Sequence, residues 1–365
     1  MVEYAGDYDW RGEGEEAEVV LYATGEEVAN AAFGRVAPIT GLPGIEGPVY
    51  AAASSEGLGW VASASHAAPD LLSIPERGLL LVADVPAESV GMPPTGITNL
   101  VLRDLGEAGL QLPSLNEAGA RRVCEEGARA AAEDGFIEEE ELGSLRPADG
   151  YADALGRRAL ATGPADWEGR TGLYVAVVAE VLDTEGAETL DLERGMLALV
   201  VRAGAGDLGR LALSAHRERI LGRIRVGADF GAQDNLPAAP AETEEAADLV
   251  AAVAAAANFA DGRAARALYA LRRILGDVTG GLSLRAAWRV GGIEDRAGSL
   301  VHRRGLAVVG EGEVLVSGGS VAVGTGKMFG SAPPFGAPED DGSHPWEAAG
   351  VLERWADLDP TEGRA

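Results

Sequence analysis

The chain has 365 residues, 47% of them hydrophobic, and a single cysteine, Cys124. That balance suits a chain that buries a full core, and one cysteine excludes an internal disulfide framework or a cysteine-rich metal site. Thirty basic residues against 58 acidic ones leave a net charge of −28, a field that repels phosphate backbones and disfavours nucleic acid as a partner.

Residues 1–16 (MVEYAGDYDWRGEGEE) are acidic and polar, the reverse of a signal peptide's basic-then-apolar order, and are expected to form a disordered lead-in. The remainder, 17–365, is expected to be one mixed α/β domain: no internal repeat or interdomain linker interrupts it. No run of about 18 apolar residues occurs, so neither a membrane span nor a membrane partner is expected, and the cytoplasm is the default location. The acidic excess reads as a solubility device or an adaptation to a salty cytoplasm. Arginine in place of lysine, with abundant alanine, points to GC-rich coding rather than to chemistry.

In chain order, AEVVLYA (17–23) reads as a strand and GLLLVAD (78–84) as a buried one. NEAGARRVCEEGARAAAEDGF predicts a helix, with Asn116 as N-cap and Gly135 as its stop. GLYVAVVAEVLD (172–183) and GMLALVVRAG (195–204) predict neighbouring buried strands. DLGRLALSAHRERILGRI (207–224) follows as an amphipathic helix. Residues 243–275 form a long alanine-rich helix, with a bend expected near Gly262. Glycine-punctuated strands come next, with Glu311–Gly312 as a hairpin turn in GLAVVGEGEVLVSGGSVAVGTG (305–326). APEDDGSHPWE is a polar loop, and EAAGVLERWADLDPTEGRA is expected to open as a short helix.

The segment SVAVGTGKMFGSAPPFG (320–336) holds the only lysine, Lys327. A P-loop requires G-x-x-x-x-G-K-[ST], so that backbone N–H groups cradle phosphates and a hydroxyl meets Mg²⁺. Val321 stands where the first glycine belongs and Met328 where the hydroxyl belongs, which excludes that reading.

Taken in order, several segments resemble the RtcB family of RNA-splicing ligases. GLPGI (41–45) is similar to its L-P-G-I, and EGLGW (56–60) to its D-G-H-x-G-x-G turn. GLYVAVVAEVLD followed by LVVRAGAGDLGR (199–210) resembles the strands carrying G-N-H-F-x-E and H-x-G-S-R-G-L-G. AAAANFADGR (254–263) is similar to A-A-A-N-F-A-x-x-N-R, VHRRGLA (301–307) to V-H-R-K-G-A, and VGTGKMFGSAPPFG to G-T…F-G-S-x-x-H-G-A-G-R. The resemblance is collinear from about residue 41 onward. It implies an α/β fold with central sheets and flanking helices. It also implies an ancestral activity, the GTP- and Mn²⁺-dependent joining of RNA 3′-phosphate and 5′-hydroxyl ends through a guanylylated histidine.

Carried over residue by residue, the family's D-I-N-C-G-V-R falls on ITNLVLR (97–103). Its metal-binding Asp meets Ile97 and its Cys meets Leu100, while Asn99 and Arg103 are retained, as is Asn258 in the alanine-rich helix. The other metal-binding histidines fall on Tyr174, Arg202 and Trp288, and the guanylylated histidine on Pro334. Ile97, Leu100, Trp288 and Pro334 offer no side-chain donor to a divalent ion, and Arg202 places a fixed cation in the pocket. His66, His216 and His344 match no family ligand position.

Residues 336–350 fall short of the family's length where it holds guanine. His302, Arg303 and Arg304, with Arg202, are candidate anion-binding residues, with arginines capping a strand as the alternative. Cys124 reads as a packing residue. These substitutions imply a catalytically inactive RtcB-like protein with no metal and no cofactor, serving as a scaffold, regulator or assembly subunit for an unidentified protein partner. The alternative is an active RtcB-type ligase using GTP and Mn²⁺, or a repurposed enzyme on that fold.

Overall fold

A computed structural model describes residues 2–6, 9–23, 26–53, 58–108, 117–143, 145, 152–155, 171–181, 191–227, 230, 232–233, 236–296, 299–304, 314–317, 320–323 and 355–359. It shows a mixed α/β fold in which most of the strands collect into two seven-stranded sheets.

The first sheet has the order β1 (Glu3–Gly6), β2 (Asp9–Glu13), β3 (Glu18–Ala23), β4 (Ile45–Ala53), β5 (Leu58–Ala64), β15 (Ser299–Arg304), β14 (Gly292–Arg296). Only β3 and β4 pair in parallel. Parallel neighbours need a crossover, and helix α1 (Glu26–Val36) supplies it, setting Ala29, Ala32 and Val36 against Leu21, Val49 and Trp60.

The second sheet is antiparallel, with the order β13 (Leu282–Val290), β7 (Glu76–Pro86), β9 (Met196–Gly204), β8 (Thr171–Val181), β18 (Trp355–Asp359), β17 (Ser320–Val323), β16 (Val314–Ser317). Two short ladders complete the strands: β6 (His66–Ala67) with β12 (Ala239–Pro240), and β10 (Ala232–Gln233) with β11 (Leu236–Pro237). The predicted runs at 17–23, 78–84 and 195–204 lie on strands, as do residues 172–181 of the run at 172–183, and the last two runs are hydrogen-bonded neighbours.

Helices α2 (Ala87–Val90), α3 (Pro94–Ala108), α4 (Glu117–Glu126), α5 (Ala128–Glu133) and α6 (Gly206–Arg225) surround the longest, α7 (Glu244–Thr279). Helix α7 starts where the Thr243 hydroxyl accepts the Ala246 N–H and ends at Gly280, which has φ +69°. Such a hydroxyl satisfies one of the N–H groups a helix leaves orphaned at its start.

Its sequence lets α7 touch both sheets. Ala246, Leu249 and Val253 pack with Ile293 and Leu300 of the first sheet. Ala264, Ala265, Leu268 and Leu271 pack on Leu79, Leu81, Leu199 and Val201 of the second. Between them Ala252, Ala256 and Phe259 meet α4 and α6. Alanines permit that three-sided approach, and at Gly262 even a Cβ would sit 2.8 Å from Val123 Cγ1. The helix runs continuously through Gly262.

Two expectations are corrected, and two more fall outside the described residues. Residues 3–6 and 9–13, read as disordered, form a hairpin joined to β3. Its Trp10 packs against the apolar core and donates its indole N–H to the Ala23 carbonyl. The single helix expected after Asn116 divides into α4 and α5 at Gly127, where φ is +55° and ψ −126°; Asn116 itself lies outside the described residues. Within 305–326, β16 and β17 pair with Ser317 opposite Ser320, and the turn expected at Glu311–Gly312 lies outside the described residues. Trp355–Asp359 forms a strand against β8, and the short helix expected to open that segment at 347–354 lies outside the described residues. Residues 324–354, with Lys327, Met328, Pro334 and His344, lie outside the described residues.

Candidate functional site

Alternate residues of a strand face opposite sides of a sheet, and register sorts the candidate metal positions. On the second sheet Gly78 pairs with Arg202 on one side and Trp288 on the other, and Gly172 also pairs with Arg202. Tyr174 lies one row further along, opposite Val200. Positions 174, 202 and 288 thus share one face of one sheet within two adjacent rows.

Ile97 and Leu100 go elsewhere. Both lie on α3 and pack with Leu79, Leu81, Val175 and Leu199, the opposite face. Ile97 is fully buried there. The Arg202 guanidinium is ion-paired to Glu76 on the adjacent strand. The positions resembling a metal site therefore supply a guanidinium held by a carboxylate, and two of them supply core aliphatics across the sheet. These residues do not fit a Mn²⁺ centre. Among the described residues no group of three or more His, Cys, Asp or Glu could hold a metal.

At the same end of the sheet, the helix-facing side carries a charge cluster that sequence reading missed. Arg77 and Arg289 stand directly opposite on β7 and β13. Arg77 donates Nε–H to Asp261 Oδ1 (2.6 Å) and Nη2–H to Oδ2 (2.9 Å), and Arg289 donates Nη2–H to the same Oδ2 (2.7 Å). Asp261, on α7, is fully buried. Burial pushes its carboxyl pKa up, but the two guanidinium groups outweigh that and hold it below the usual carboxylate range. An aspartate inside an alanine-rich helix was the available signal, since a buried charge needs partners.

On the first sheet, β15 separates the other candidates by face. His302 is fully buried: its Nε2 accepts the Ala68 N–H (3.1 Å) and its Nδ1–H donates to the Leu300 carbonyl (3.0 Å). An acceptor at Nε2 fixes the Nδ1–H tautomer. Burial, above all, lowers its pKa to about 4, so at neutral pH it carries no charge with which to attract an anion. Arg304, on the same face, lies exposed with its guanidinium 4.7 Å from the Trp60 ring centre, and donates to the Asp70 carbonyl. Arg303 faces the other side, buried, with Nη1 2.6 Å from Glu294 Oε1. Arg202 is on the second sheet, so the four candidates form no single cluster.

The positions that match the resemblance, Asn99, Arg103 and Asn258, divide likewise. Asn258 is buried and donates Nδ2–H to the carbonyls of Cys124 and Glu125 (3.0 and 3.2 Å), capping the end of α4. Asn99 and Arg103 are exposed on α3, and Arg103 pairs with its neighbour Asp104. Cys124 is fully buried with its thiol pKa pushed up by burial to about 12, the state of an inert packing thiol. His216 is buried with Nε2–H donating to the Ala154 carbonyl (2.7 Å), and its pKa is lowered chiefly by desolvation. His66 Nδ1 lies 3.1 Å from Ser65 Oγ, and burial lowers its pKa as well.

No protein-family model matches this chain, and a search of curated proteins finds no match. No helix among the described residues is long and apolar enough to cross a membrane.

Proposed function

We propose that this chain is a non-catalytic protein of the RtcB type that serves as a scaffold, regulator or assembly subunit for another protein. One observation carries the reading. Arg202, at a position where the family places a metal-binding histidine, shares a sheet face with positions 174 and 288, and its charge is held by Glu76. A divalent cation gains from oxygen, nitrogen or sulfur donors that converge on it. A guanidinium 4 Å away would instead repel it by about 8 kcal/mol at an effective dielectric of about 20, twice the value for two unit charges. Glu76 offsets part of that repulsion, but it is already engaged by Arg202. The net charge of −28 further weakens the case for an RNA substrate.

The test is incubation of the full chain with labelled GTP and Mn²⁺, followed by a denaturing gel, in parallel with an assay for joining RNA 3′-phosphate to 5′-hydroxyl ends. No labelled band and no joined product are expected. Loss of a covalent nucleophile alone removes on the order of 10⁶ in rate. A labelled band at 37.5 kDa would overturn the reading in favour of an active ligase.

A further inference from the structure

We infer that the outer edge of β1 is the docking site for the protein partner of the proposed assembly role, and that the partner supplies an extended segment in which basic residues alternate with apolar ones. The inference rests on that role and adds its surface and chemistry. β1 ends the first sheet, and its outward N–H and C=O groups have no ladder partner among the described residues. The other sheet ends are occupied. β14 starts beneath α7, with Gly292 and Ile293 buried against Val253. The end strands of the second sheet, β13 and β16, approach each other. At β1, by contrast, Glu3 and Tyr4 are exposed, Tyr4 by 62%. An open edge of this kind templates a further strand. The register irregularity between Tyr4 and Gly6 limits the new ladder to a few rungs, so side chains decide which strand is admitted.

Alternation fixes what that strand must carry. Tyr4 shares a face with Val2, which is buried in the core beneath α1, and with Trp10, directly opposite on β2 with ring centres 5.1 Å apart. The exposed Tyr4 ring extends this apolar face to the sheet's edge, where an incoming apolar side chain would cover it. The other face is acidic. It carries Glu3 in the row of Arg11, and Glu13 opposite Glu18, and Arg11 is ion-paired to Glu18 (3.6 Å). Residues 1–30 hold nine acidic side chains and one basic one, Arg11. Two copies meeting edge to edge would set that charge against itself, whereas a basic strand complements it.

The probe is an acetylated, amidated peptide of alternating arginine and valine, titrated into the ¹⁵N-labelled full chain. The Glu3 and Tyr4 amide resonances are expected to move saturably and to gain protection from hydrogen exchange. Amides of β15, near the far end of the same sheet, are expected to stay in place and to report an intact fold. Glu3→Lys, a change at an exposed position, should weaken binding about tenfold and should favour a glutamate–valine peptide instead. No saturable movement at Glu3 and Tyr4, or unchanged affinity in Glu3→Lys, overturns the inference. So does equal binding of the arginine–valine peptide N-methylated at every backbone amide, which keeps the charge but cannot donate to a ladder. Movement of the same amides with protein concentration alone would assign the edge to a second copy and overturn it as well. A covalent GMP adduct would overturn the non-catalytic reading without altering these outcomes, and a failed titration would leave that reading standing.

Discussion

The Arg77–Asp261–Arg289 cluster gives the sharpest test of how the second sheet is tied to α7. Asp261→Asn keeps the side chain's shape and removes its charge. Three charge-assisted bonds of 2.6, 2.9 and 2.7 Å converge on that carboxylate, and asparagine can answer them with one oxygen while turning an NH₂ toward guanidinium donors. Arg77 is 4% exposed, so water cannot take over its solvation. Breaking a buried ion pair from one side costs about 3–5 kcal/mol, because the uncompensated charge stays buried. Against a typical total of about 5–15 kcal/mol the variant should unfold at much lower urea with an unchanged m-value. The same carboxyl, held below its usual pKa, contributes stability that is fully present above the unfolded value of about 3.9 and is lost as pH falls through the folded value. Asp261→Asn should therefore also flatten this part of the acid limb. A variant within about 1 kcal/mol of the parent, with the acid limb unchanged, would refute the reasoning.

His302 should give a separate pH signature. Its folded pKa of about 4 lies below the ordinary 6.5, so the unfolded chain binds the extra proton first and stability falls as pH drops from about 6.5 toward 4, by about 3 kcal/mol. Urea titrations from pH 7 to 4 on the parent and His302→Gln check it, and equal slopes in both would count against it. Gly127→Ala should lose about 1–3 kcal/mol, since a non-glycine residue is strained at φ +55°, ψ −126° and its Cβ would lie 3.2 Å from Asn258 Oδ1; thermal unfolding reads the loss.

Much of the fold was legible because its signals are local. Five apolar residues in a row at 19–23, or alanines at helical spacing through 243–275, specify an element before any tertiary contact is known. The corrections fall where tertiary packing overrides the local pattern. The acidic N-terminal residues form strands because β3 offers them an edge and Trp10 has a core to enter. The helix before Gly135 breaks because Asn258, more than a hundred residues away, takes the carbonyls at its end. Candidate site residues were legible as residue types but not as a constellation: His302 and Arg303 are adjacent in sequence and face opposite sides of one strand.

That alternation also shows how an arginine can occupy a position where the resemblance places a metal-binding histidine. A guanidinium on a sheet face needs room for its length and a counter-charge within reach, or it destabilises the strand that carries it. The register supplies room: Gly172 and Gly78 flank Arg202 on the strands to either side, so no neighbouring side chain rises in its own row there. It also supplies charge, because Glu76 follows the opposite strand's alternation onto the same face, two residues from Gly78, and pairs with the guanidinium. Arg77 between them turns to the other face, where Asp261 receives it. Two ion pairs of opposite orientation thus share one strand end without competing, and the charge on one face is settled independently of the charge on the other. Placing a histidine at 202 alone would leave Glu76 without its partner, and Ile97 and Leu100 would still lie across the sheet, so building a metal centre at the positions the resemblance points to requires changes on both faces together.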